Sequence, residues 1–87
     1  MLQVYIEHHN NQTIAIQEIC DGDKILAELE ENNSINLDVC IPYINQRIEV
    51  HHVYTDDNSK NCTLNAILEA VETEPMTKAK CIRYSMI

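Results

Sequence analysis

The four histidines fall in two doublets, His8-His9 and His51-His52, each just after an Ile-Glu pair, Ile6-Glu7 and Ile48-Glu49. Imidazoles beside carboxylates are the raw material of zinc sites and of acid–base catalysis. Adjacent strand residues point to opposite faces, so one doublet cannot give both rings to one metal while the strand stays regular. One histidine from each doublet, with Glu7 or Glu49, converges only if the fold brings the doublets together. The sequence contains nothing that requires this. The expectation is surface and strand-end histidines, with His52 half-buried beside Tyr54, and neither a metal nor a cofactor.

The four cysteines, Cys20, Cys40, Cys62 and Cys81, are widely and almost evenly spaced, with no C-x-x-C. That spacing indicates neither a zinc knuckle nor a thioredoxin-type redox motif. No basic, apolar leader is visible at the start of the sequence, so free buried thiols in a cytoplasmic protein are expected rather than disulfides. Cys62 falls near the start of an expected helix, where a thiol pKa can be lowered. No base is placed beside it by the sequence. The chain has a single glycine, which leaves no glycine-rich phosphate or oxyanion loop. Catalytic residues are not expected, and the chain reads as a binder rather than an enzyme.

The acids are the most unusual feature. Fourteen Asp and Glu stand against six Lys and Arg, a formal charge of −8 in 87 residues. Such a chain repels nucleic acid and anionic membranes and attracts basic surfaces. One acidic run, Glu18, Asp21, Asp23, Glu28, Glu30 and Glu31, surrounds the first expected helix. The other, Asp56, Asp57, Glu69, Glu72 and Glu74, surrounds the second. The cations Lys78, Lys80 and Arg83 gather near the C-terminus.

The elements that must position these groups follow from periodicity. Residues 2–8 alternate Leu2, Val4, Ile6 against Gln3, Tyr5, Glu7, a half-buried strand. Asn10-Asn11-Gln12 marks a turn, and residues 13–19 form a second strand with Ile14 and Ile16 on one face. Ile25, Leu26 and Leu29 suggest a short helix ended by Asn32-Asn33. Ile35, Leu37, Val39 and Ile41 alternate as a strand stopped by Pro42. Ile48, Val50, His52 and Tyr54 give a further strand. Leu64, Ile67, Leu68 and Val71 stand at i, i+3, i+4, i+7 and predict an amphipathic helix, ended at Glu74-Pro75. On that helix Cys62, Ala66, Ala70 and Thr73 form a small outward face, open to contact. Residues 78–87 read as the last strand. No apolar stretch approaches the length of a membrane span.

The expectation is therefore a single compact α+β domain over 1–87. It has one mixed or antiparallel sheet of about five strands with two helices on one face, in the order ββαββαβ, a ferredoxin-like variant. Both acidic runs would then decorate the helix side. The partner-binding candidates are Asp21, Asp23, Glu28, Glu30, Glu31, Asp56, Asp57, Glu69, Glu72 and Glu74. The functional expectation is a stoichiometric inhibitor, a monomer or homodimer, that covers a basic surface of a nuclease or nucleic-acid-binding complex and itself binds neither nucleic acid nor membrane. Anti-CRISPR and toxin-immunity proteins share this size and charge; no motif links the chain to either. The alternative is a homo-oligomeric ferredoxin-like sensor or small-molecule-binding domain.

Overall fold

The computed structural model describes residues 1–87. It contains six strands: β1 (Leu2–His9), β2 (Gln12–Asp21), β3 (Lys24–Glu28), β4 (Arg47–Tyr54), β5 (Cys62–Thr73) and β6 (Lys80–Met86). Two 3-10 helices complete it, η1 (Leu37–Tyr43) between β3 and β4, and η2 (Asn58–Lys60) between β4 and β5. Neither is long and apolar enough to cross a membrane.

The strands form one mixed sheet in the order β3-β2-β1-β4-β5-β6. Two antiparallel meanders, β1-β2-β3 and β4-β5-β6, meet along a parallel seam between β1 and β4. A parallel pair needs a long crossover. Residues 29–46, with η1 inside them, supply it and lie across one face of the sheet, where Leu37 and Cys40 complete a core of Leu2, Val4, Ile6, Ile19, Ile48, Val50, Ala66 and Leu68. The other face is open.

The single mixed sheet agrees with the sequence reading; several finer expectations do not survive. There are six strands instead of five, no α-helix covers the sheet, and the strand order is not ferredoxin-like. The segment read as the first helix is β3, which closes the β2 edge through the turn at Gly22 (φ +61). The segment read as the second helix is β5, paired with β4 on one side and β6 on the other. The alternating segment 35–41 is largely η1. Its buried residues, Leu37 and Cys40, are three apart, the period of a 3-10 helix, and Asn36 caps it by accepting from the Asp38 amide at 3.1 Å.

The hairpin and bulges were set by local chemistry. Asn10 (φ 50) and Asn11 (φ 63) both take the left-handed backbone that a two-residue hairpin turn needs. Asn11→Gly is expected to leave stability unchanged or slightly raised, and Asn11→Val to lower it by about 1–2 kcal/mol, read by thermal unfolding. Register shifts in the β1–β2 ladder leave Gln17 and Ile14 as extra residues. Ile14 is thereby pushed out of the expected Ile14/Ile16 face and is 53% exposed.

Candidate functional site

Cross-strand partners share a face, and successive residues alternate. With Leu2, Val4, Ile48 and Val50 inward, the open face takes Gln3, Tyr5, Glu7 and His9 from β1, and Glu49, His51 and Val53 from β4. It also takes Glu18 and Glu28, which are direct partners on β2 and β3, and Glu72 with Arg83 from β5 and β6. Glu69 is the extra residue of a bulge opposite Arg83 and joins them. Glu7, Glu18, Glu28, Glu49, Glu69 and Glu72 thus share this face with Arg47 and Arg83.

Arg83 holds Glu72 at 3.0 Å and Glu69 at 3.5 Å. Glu49 lies 3.2 Å from His51 Nε2, and Thr63 Oγ1 approaches the other ring nitrogen at 3.0 Å. The His51 ring stacks on Tyr5, centroids 4.5 Å apart. No cation pairs with Glu7, Glu18 or Glu28. Gln17 donates to Glu7, and the Cys20 thiol donates to Glu18 at 2.9 Å. Between them opens a shallow cleft of about 310 Å³, lined by Tyr5, Glu7, Gln17, Glu18, Val53 and Thr55.

The expected acidic set is not gathered on one side. Glu28, Glu69 and Glu72 reach the open face. Asp21 sits at the β2–β3 turn, where the Tyr43 hydroxyl donates at 2.7 Å and the N-terminal amine at 2.9 Å; these hold its carboxyl below the ordinary range. Asp57 caps η2, accepting from the Ser59 hydroxyl at 2.6 Å and amide at 3.0 Å, which also lowers it. Glu74 accepts amides of Thr77 and Met76 in the β5–β6 hairpin and is lowered by them. Asp23, Glu30, Glu31 and Asp56 are exposed in the connections between strands rather than on helices. The premise that two helices carry the acids on one side is thus corrected: those segments are strands and loops. Glu7 and Glu49 were missed, although their outward place in β1 and β4 follows from the alternation itself.

The histidine doublets do split across the sheet. His51 lies on the open face, while His8 and His52 meet on the covered face because β1 and β4 are adjacent and in register. No three His, Cys, Asp or Glu side chains converge as metal ligands. All four cysteines are free thiols, Cys20 and Cys40 buried and Cys62 and Cys81 exposed. Burial pushes Cys40 up to about 11, and burial with the Glu18 carboxylate does the same for Cys20. Cys62 begins a strand, so no helix terminus acts on it. A thiol-alkylating reagent is therefore expected to add two groups to the native protein, at Cys62 and Cys81, and four after unfolding, counted by mass spectrometry.

Comparison of the chain with protein-family models, curated proteins and solved structures finds no match.

Proposed function

We propose that the chain is a small acidic binding protein that inhibits a partner by laying its open sheet face on that partner's basic surface, a nuclease or nucleic-acid-binding complex being the partner class. The observation that carries this reading is the cluster Glu7, Glu18 and Glu28, uncompensated by any cation beside an open cleft. Glu18 and Glu28 are directly opposed across the β2–β3 ladder. Like charges so placed destabilise the free protein. A lysine or arginine of a partner set over them relieves the repulsion and gains the attraction, and the remaining net charge steers the encounter. Inhibition then needs no bond chemistry, since carboxylates occupy the place of phosphates.

Capture from the native cell or its infected host with tagged protein tests this. The expected result is a basic protein whose complex weakens by about tenfold or more when Glu18→Lys and Glu28→Lys are combined, and which is released by 1 M NaCl. A complex that survives both is held by something other than charge. A second reading, self-association, is favoured by the two uncovered sheet edges, β3 and β6, where Ile25 and Met86 are 54% and 50% exposed. Light scattering across concentrations separates the two: a stable dimer supports self-association, and a monomer supports the inhibitor.

A further inference from the structure

His8 and His52 meet diagonally across the only parallel seam in the sheet, where the register sets His52 beside Ile6 and His8 beside Tyr54. His8 Nε2 lies 2.7 Å from His52 Nδ1, with ring centroids 4.9 Å apart. His8 is 7% exposed, the one buried polar side chain of the protein. Tyr54 stacks on it at 4.6 Å, and Thr13 Oγ1 lies 3.2 Å from its Nδ1. The groups facing the pair are few. From β2 comes the Thr13 hydroxyl, from β4 the Tyr54 phenol, and from β5 Cys62, the cross-strand partner of His52. From η2 comes Lys60, whose ammonium stands 5.9 Å from the Tyr54 ring centroid. No carboxylate lies within ion-pair distance of either imidazole.

A nitrogen–nitrogen contact of 2.7 Å needs one hydrogen between the rings. With both rings neutral, one N–H donates and the other nitrogen accepts. A first proton converts the donor to imidazolium and leaves that bond in place. A second proton removes the last acceptor and sets two cations against each other in a half-buried site. Nothing there compensates.

We propose that the His8–His52 contact is an acid-sensitive latch, closing the C-terminal end of the β1–β4 seam while the pair holds at most one proton and parting it when the pair holds two. The latch reaches the open face. The Thr55 amide and hydroxyl both donate to the His8 carbonyl, at 2.9 and 3.2 Å, and Thr55 lines the cleft. Parting the seam moves that wall.

His52 is already biased in this direction. Burial first, and the neighbouring His8 second, hold it below the ordinary imidazole value of 6.5. A group lowered in the folded state supports stability above its unfolded value and loses that support as pH falls through the folded one. Opening coupled to one proton grows by up to about tenfold per pH unit in that window.

Amide hydrogen exchange at pH 7.5 and 5.0, corrected for intrinsic rates, tests the latch on the full chain. Protection of the Thr55 amide should fall by about tenfold or more, while the Leu68 amide, bonded to the Gln46 carbonyl at 3.0 Å at the opposite end of β4, keeps its own. His52→Gln, which still bonds but takes no proton, should hold Thr55 protection constant. Equal loss at Thr55 and Leu68, no loss, or the same loss in His52→Gln overturns the latch. Should His52→Gln not fold, the imidazole carbon resonances of the natural protein decide. A His52 step displaced below the ordinary imidazole value of 6.5 supports the latch; a His52 step at or above that value overturns it.

Discussion

Ile48→Ala is expected to cost about 2–5 kcal/mol and to lower the urea midpoint of unfolding by about 2 M. Ile48 is fully buried. It sits on β4 opposite Leu2 of β1 and Ala66 of β5, so it ties the two meanders together under the crossover. Only 12 of the 87 residues are buried, and a domain of this length is held by about 5–10 kcal/mol in all. A cavity at Ile48 therefore removes a large share of the total, because the neighbouring strands are fixed by ladder hydrogen bonds and cannot collapse into it. Ile41→Ala is the matched control. It removes the same atoms from η1 at a residue 51% exposed, and is expected to cost no more than about 0.5 kcal/mol. Equal costs at the two positions would refute the placement of the core.

The strands with clean alternation were legible. Leu2, Val4 and Ile6 in β1 and Ile48 and Val50 in β4 are inward as read, and β6 places Ile82 and Tyr84 against the core. The failures have identifiable causes. In β5 the inward residues are Ala66, Leu68 and Val71, because Glu69 is an extra residue that breaks the period of two. The bulge sets the spacing from Leu68 to Val71 at three, which together with Leu64 and Ile67 imitates a helical stripe. In β3 the extra residue Leu26, opposite the step from Ile19 to Cys20, placed Ile25 and Leu26 side by side with the same effect. Alternation of Ile35, Leu37, Val39 and Ile41 in a strand sets Cys40 on the opposite face from them, whereas the three-residue period of η1 turns it inward with Leu37 to full burial. The open acidic face was half legible. Glu7 and Glu49 follow from alternation in β1 and β4, but that these strands lie side by side depends on a parallel pairing between residues more than forty apart. No local pattern records such a pairing. The meeting of His8 and His52 was hidden for the same reason.

Ala66→Glu separates the two readings of residues 62–73 most sharply, and is expected to abolish folding. On an amphipathic helix with Leu64, Ile67, Leu68 and Val71 inward, Ala66 belongs to the outward face, and a glutamate there is harmless or helpful to helix formation. In the strand, Ala66 is fully buried, opposite Ile48 on β4 and Met86 on β6. A carboxylate at that position has no cation and no donor in reach, since its surroundings are aliphatic. An uncompensated buried charge costs on the order of 3–5 kcal/mol, and the longer side chain adds about 1–3 kcal/mol of overpacking in a site filled by a methyl group. Together these approach the whole stability of the domain. Asn65→Glu provides the comparison one residue away. Asn65 is the exposed partner of Glu49 on the open face, so an added carboxylate costs a few tenths of a kcal/mol through like-charge repulsion across the ladder. Circular dichroism and urea titration of the two variants read the outcome directly. A folded Ala66→Glu protein with an α-helical spectrum would remove β5 from the sheet, and with it the uncovered β6 edge and the Glu69–Arg83–Glu72 cluster that β5 presents on the open face.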